Sequence, residues 1–256
     1  AYSTVLIDNA AYLSISNLTI QNSGTASSAG NAVLLTGASH NIDFDNVTIE
    51  VEHNATNSGV ASLVASAAAG GFYTGLTAAY DVAFSNSDII GGYYNTFLIG
   101  KGNTDVDTNL VFDSCNFKHY YNIGIYAYQQ GNLQVSNCSI DSSAYAYNRA
   151  IYSYYSSGGR FENNRRTTQG TGIYSLYSNY AISSSNTEFV NNVLYQNNNN
   201  FRANYSIYNN LSCNCKYYNN TIVSTTQTTS SSGAAIYLTG TATNVEFKTN
   251  NVYAEN

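Results

Sequence analysis

Paired carboxylates, adjacent arginines, histidines and thiols are the groups in this 256-residue sequence that could carry chemistry. Asp43 and Asp45 flank Phe44, so on a strand both point to the same outer face. A glycosidase needs two or three carboxylates close together. Calcium-assisted cleavage of an acidic polysaccharide needs several carboxylates around the ion, plus a base. In the repeat set out below, Ala83 and Ser85 occupy the equivalent positions one coil on, so no cluster builds up there. Asp105 and Asp107 lie in the polar loop Gly102 to Asn109, which reads as a solvated acidic loop rather than a calcium site. Arg165 and Arg166 could grip an acidic sugar, but a local salt-bridge network with Glu162 explains them more simply. His40, His53 and His119 share no metal-ligand spacing. These residues assign no catalytic group, no metal and no cofactor.

The elements that position these groups come from an internal repeat. An apolar anchor, any residue and Asn recur as Ile15-Ser16-Asn17, Phe44-Asp45-Asn46 and Phe84-Ser85-Asn86. Phe112-Asp113-Ser114, Val135-Ser136-Asn137, Phe161-Glu162-Asn163, Phe189-Val190-Asn191, Tyr217-Tyr218-Asn219 and Phe247-Lys248-Thr249 continue it. Successive gaps between anchors are 29, 40, 28, 23, 26, 28, 28 and 30 residues. The long gap implies a loop insertion around residues 60–76. A second phrase, a small residue, an aliphatic and often Tyr, precedes most anchors, as in Gly124-Ile125-Tyr126 and Ala150-Ile151-Tyr152. Each repeat thus holds at least two short strands with period-2 alternation, and helical periodicity is absent. Short parallel strands repeating at this interval make a solenoid. The fold class is all-β: a parallel β-helix of about nine coils, with residues 1–256 forming one domain.

Alternation predicts that the Asn two residues after each anchor points inward. Stacked coils would then align Asn17, Asn46, Asn86, Asn137, Asn163, Asn191 and Asn219 as an internal Asn ladder, with Ser114 and Thr249 as polar substitutes. The residues just before the last four anchors are Arg160, Glu188, Lys216 and Glu246. Their alternating signs suit a parallel stack about 4.8 Å apart, where facing opposite charges contribute roughly 0.2–1 kcal/mol.

Three further expectations follow from this register. Cys115 and Cys138 both lie three residues after an anchor in consecutive coils, about 5 Å apart, compatible with a disulfide or with stacked free thiols. Of seven Asn-x-Ser/Thr sequons, four fall on the expected buried ladder, leaving Asn54, Asn204 and Asn210 as glycosylation candidates. In the second phrase Ile125, Ile151 and Ile173 point inward. Tyr126, Tyr152 and Tyr174 then point outward, with Tyr128 and Tyr154 beside them, as an aromatic stripe. Such a stripe is either a ladder of rings stacking on one another or a face for a neighbouring subunit or a glycan.

Composition narrows the setting. Charged residues make up 9% and the net charge is −6, which leaves no basic patch for nucleic acid. The 25 Tyr and 10 Phe need burial, which argues against disorder. Apolar stretches such as Ala78 to Ala83 are too short for a transmembrane segment. With neither a signal peptide nor a starting Met, the sequence reads as processed or as excised from a longer chain. Strand-like sequence runs from Val5-Leu6-Ile7 to Val252-Tyr253 without a polar cap, so copies of itself or flanking coils are expected at open ends.

The stretch Gly131-Asn132-Leu133-Gln134-Val135-Ser136-Asn137-Cys138-Ser139-Ile140, followed by Arg149-Ala150-Ile151-Tyr152, resembles the right-handed parallel β-helix repeats of the pectate-lyase-like superfamily. It is most similar there to adhesin-like and polymorphic-outer-membrane-type surface proteins, which join a Phe-x-x-Asn phrase to a Gly-Gly-Ala-Ile phrase. The resemblance implies a right-handed helix and an extracellular or cell-surface location. It implies a non-catalytic structural subunit of a fibre, sheath or surface layer, or an adhesin shaft. A polysaccharide lyase or glycoside hydrolase, and a glycan-binding spike, are the alternatives.

Overall fold

Left-handed backbone residues punctuate the chain and cut it into short strands, and those strands stack into three parallel sheets. The computed structural model describes residues 2–24, 30–68, 71–75, 78–100, 107–141, 149–166, 174–179, 186–198, 205–210, 214–226, 234–240 and 243–255. Nine strands succeed one another along the main path of each sheet. The first sheet runs from Tyr2–Asp8 through Tyr94–Ile99, Ile123–Tyr128 and Arg149–Tyr154 to Ala234–Thr239. The second runs from Ala11–Ser16 through Asp107–Asp113 and Arg160–Glu162 to Glu246–Lys248. The third runs from Thr19–Gln21 through Asn116–Lys118 to Asn251–Glu255. The chain visits the sheets in turn, so every sheet neighbour comes from the next coil, and the fold is a parallel β-helix. In the long gap, Ala67–Ala68 and Gly71–Gly75 pair antiparallel directly after the first-sheet strand Val60–Ala65.

The anchors point inward and stack. Phe44, Phe84 and Phe112 lie ring on ring at 4.5 and 4.9 Å, and Phe161, Phe189, Tyr217 and Phe247 at 5.0, 4.9 and 4.8 Å. The charged positions next to them pair in the expected order, Arg160 with Glu188, Glu188 with Lys216, and Lys216 with Glu246. Glu188 receives Arg160 at 2.5 Å and Lys216 at 2.9 Å.

The internal ladder sits one residue later than alternation predicts. Asn17, Asn46, Asn86, Asn137, Asn163, Asn191 and Asn219 are exposed, Thr249 is too, and Ser114 is half-buried. All nine adopt left-handed φ, between 50° and 57°. Asn and small polar residues reach that conformation at least cost after Gly. A left-handed residue interrupts the alternation, so the residue after it turns inward. The buried row is therefore Val47, Ser87, Cys115, Cys138, Asn164, Asn192 and Asn220, with half-buried Asn250 at its end.

Position three after the anchor has a backbone N–H outside the sheet ladders, and a buried N–H needs a partner. The side chain of the following coil supplies it. Val47 N–H donates to Ser87 Oγ (3.1 Å), Cys115 N–H to Cys138 Sγ (3.4 Å) and Cys138 N–H to Asn164 Oδ1 (3.0 Å). Asn164, Asn192 and Asn220 continue, each N–H reaching the Oδ1 of the next coil's Asn at 3.0, 3.0 and 2.9 Å. Each Asn Nδ2 in turn donates to an anchor carbonyl, of Val135, Phe161, Phe189 and Tyr217. Short acceptors are what this position requires.

Candidate interaction face

The first sheet is apolar on both sides over part of its length, which accounts for continuous runs such as Ala32-Val33-Leu34-Leu35. Val33, Leu35, Leu63, Leu98, Ile125 and Ile151 belong to the main core. Leu34, Val64, Phe97 and Ile99 alternate with them and form a second buried cluster on the outer side. Partly buried Tyr93, Tyr126, Tyr128 and Tyr152 pack against that cluster. The inserted strand Gly71–Gly75 lies close to Tyr94–Ile99.

Parallel register turns the outer residues into a column. Phe97 pairs with Tyr126, Tyr126 with Tyr152, Tyr152 with Tyr177, Tyr177 with Tyr208 and Tyr208 with Tyr237. Ring centroids are 4.9 Å apart for Phe97 and Tyr126, 5.1 Å for Tyr126 and Tyr152, and 5.2 Å for Tyr208 and Tyr237. Beside this column Tyr128 stacks on Tyr154 at 5.3 Å, and Tyr155 meets Tyr154 edge-on at 4.4 Å. The Arg149 guanidinium lies 5.2 Å from the Tyr152 ring centre, a cation–π contact. Burial and the Tyr155 hydroxyl push the Tyr154 phenol pKa up.

Tyr174 does not belong to the column. It pairs with Arg149 and Tyr205, while Leu176 and Tyr177 take the places assigned to Ile173 and Tyr174. Two aliphatic–Tyr pairs three residues apart compete for one slot, and Ile173 itself lies outside the described residues. A usable signal was distance to the anchor. Ile125, Ile151 and Ile207 each precede an anchor by ten residues, whereas Leu176 precedes Phe189 by 13 and Ile173 by 16.

The remaining candidates are scattered. Asp43 is exposed between Ser14 and Ala83. Asp45 accepts from Ser85 Oγ at 2.7 Å and Asn86 Nδ2 at 2.9 Å, and these bonds lower its pKa. Asp113 is held down by Ser136 and Asn137 in the same way. Neither has the raised pKa of a general acid. Asp105 lies outside the described residues. Arg166 is fully buried in the core row, in register with Leu194, and the expected partner Glu162 takes Arg160 instead. Burial raises the phenol pKa of Tyr120, which Arg166 partly offsets. Cys115 and Cys138 are buried free thiols stacked in the inner row, and Cys215 is buried too.

The sequons divide differently from the expectation. Asn17, Asn46, Asn137 and Asn219 are exposed, so burial does not remove them as acceptors. Asn54 and Asn210 are half-buried, and Asn204 lies outside the described residues. One cluster had no signature in the sequence. The rings of His53 and His119 stack at 4.7 Å, with Glu50 Oε1 2.9 Å from His53 Nε2. Among the described residues no group of three ligands is placed to hold a metal.

A family model described as a right handed beta helix region matches residues 70–252. No curated protein matches the chain. Among solved structures, PfbA, a surface adhesin of Streptococcus pneumoniae, is similar at 13% identity and TM-score 0.65, over 96% of this chain and 62% of that one. The Agl-KA catalytic domain is similar at 12% identity and TM-score 0.50, over 94% of this chain and 62% of that one. This chain therefore spans less than two thirds of either, and at these identities the likeness is one of fold. With 183 of its 256 residues inside the matched region, the chain belongs to the right-handed β-helix family.

Proposed function

We propose that this chain is a non-catalytic shaft segment of an extracellular or cell-surface adhesin, with the outer aromatic column of the first sheet as its contact face. The column itself carries the reading: half-buried Tyr126 and Tyr152 stack on from buried Phe97, and Tyr177, Tyr208 and Tyr237 extend it in register. Tyrosine rings give contact area at low entropy cost. The similar fold of PfbA, itself a surface adhesin, supports the setting. Carboxylates held ionised by neutral donors at Asp45 and Asp113 suit a solvated wall better than a hydrolytic centre.

Partners at the two ends are part of the proposal. Among the described residues the exposed large apolar side chains are Leu6, Tyr12, Leu13 and Leu18 in the first coil, Tyr237, Leu238, Val252 and Tyr253 in the last, and Val193. Further coils or copies of this chain would cover those rows. The test combines Tyr126→Ser, Tyr152→Ser and Tyr208→Ser. Binding to a glycan array and the presence of ordered assemblies in electron micrographs are compared with the parent. Loss of either behaviour is expected in protein that keeps the β-sheet circular dichroism of the parent, with a lowered denaturation midpoint because Tyr126 and Tyr152 pack against the outer cluster. If both persist, the column is not the contact face.

A further inference from the structure

The same tyrosines meet a second, independent chemical requirement, that of phenol coupling. Tyr126 pairs in register with Tyr152, and Tyr128 with Tyr154, one coil apart. Their ring centroids are 5.1 and 5.3 Å apart, with interplanar angles of 35° and 21°. Tyr152 and Tyr154 lie 5.9 Å apart at 9°. All four are half-buried, open to a small oxidant yet held in place.

We propose that Tyr126, Tyr128, Tyr152 and Tyr154 form a site of oxidative cross-linking, in which a phenol of one coil couples to its register partner in the next. The co-reactant is hydrogen peroxide activated by a peroxidase. Each of two phenols gives up one electron and its O–H proton and becomes a phenoxyl radical. The radicals join through ortho carbons in one C–C bond. The two ortho hydrogens then move through solvent to the oxygens, restoring both phenols. Two electrons and two protons leave in all, and they reduce one peroxide to two waters. Fixed proximity raises the effective concentration of the partner phenol far above that of another chain. The inference does not require the column to bind anything.

Trypsin cleaves after Lys118, Arg149 and Arg160, so a link between the two pairs joins residues 119–149 to residues 150–160. Purified protein is treated with peroxidase and limiting peroxide, native and in denaturant. Dityrosine fluorescence without chain dimerisation is expected, with the joined peptides lighter by two hydrogens than their sum. Their yield should fall about tenfold in denaturant, where proximity is lost. The joined species should vanish in the double variant Tyr152→Phe, Tyr154→Phe and also in Tyr126→Phe, Tyr128→Phe, both of which keep the stacked rings. Tyr12 and Tyr253 are 80% and 56% exposed, so a reaction governed by exposure would modify them first. Modification there alone, coupling only between chains, equal yield in denaturant, or joined peptides surviving in either variant would each overturn the assignment.

Discussion

The backbone N–H of Asn164 donates to Oδ1 of Asn192, 3.0 Å away and one coil along the axis. The Asn192 Nδ2 reaches back to the Phe161 carbonyl at 3.0 Å. Asn192→Ala leaves that buried N–H and that carbonyl without their partner. At about 1–3 kcal/mol for each buried group left unpaired, the expected loss is about 2–6 kcal/mol. Asn191, one residue earlier, is exposed and left-handed at φ 53°. Asn191→Gly keeps that conformation and should change stability by less than about 0.5 kcal/mol. Urea unfolding midpoints of the two variants would separate the inner ladder from the outer turn.

Cys138 occupies the same inner position, and its Sγ accepts the Cys115 N–H. Cys138→Ser keeps an acceptor and should be tolerated better than Cys138→Ala, by about 1 kcal/mol or more. Both thiols are buried, so alkylation by maleimide should await unfolding. A peptide map under non-reducing conditions should show Cys115 and Cys138 in separate peptides.

Glu188 lies between Arg160 and Lys216, and its pKa is lowered, first by the Lys216 hydrogen bond. The folded value lies below the ordinary 4.5, so this stabilisation is complete above 4.5 and is lost as pH falls through the folded value. Asp45 and Asp113 act in the same direction from 3.8 downward. Stability should fall on acidification below about pH 5. Glu188→Gln should shrink that slope and cost under about 1 kcal/mol near neutrality, because the three side chains are partly solvated.

His119 acts in the same direction at higher pH. Burial, His53 and Lys118 lower its pKa below 6.5, against a smaller raising effect of Glu50. The folded state then favours neutral imidazole, so its contribution is present above 6.5 and is lost as pH falls from 6.5 to the folded value. His119→Asn should flatten stability over that interval. Proton resonance titration of the His119 imidazole checks the direction.

The legible part of the molecule was the part that obeys alternation. Phe44, Phe84, Phe161 and Phe189 were found as inward anchors because each is a bulky apolar residue at a recurrent interval. Arg160, Glu188 and Lys216 were placed because opposite charges favour adjacent coils. Alternation fails at a left-handed residue, and there the reading slipped by one, from Asn163 and Asn191 to Asn164 and Asn192. Both members of each Asn-Asn pair are polar, so composition could not choose between them. Backbone conformation does, since only the second carries the unpaired N–H. A second series of left-handed residues, including Asn41, Asp81, Asn109, Asn132 and Gly158, bends the second sheet and was missed. It falls three residues before each anchor and is Asn, Asp or Gly in eight of nine coils, so it was as recurrent as the outer Asn series. His53 and His119 lie two coils apart, with the turn at Gly91 and Gly92 between their coils, and still meet ring on ring, which no local spacing encodes.

The inner ladder also has a direction. In these steps the earlier coil contributes backbone, an N–H and along the Asn row an anchor carbonyl, and the later coil contributes the side chain that meets it. Shortening the solenoid is therefore asymmetric. A cut that removes later coils strips the acceptor from a backbone N–H that cannot be mutated away. A cut that removes earlier coils frees side-chain groups of the ladder, the Asn Oδ1 and Nδ2, which water or a substitution can accommodate. Nested truncations should tolerate losses at the amino-terminal side better, and growth of the ordered stack should be easier to seed from the carboxy-terminal coils than from the other end.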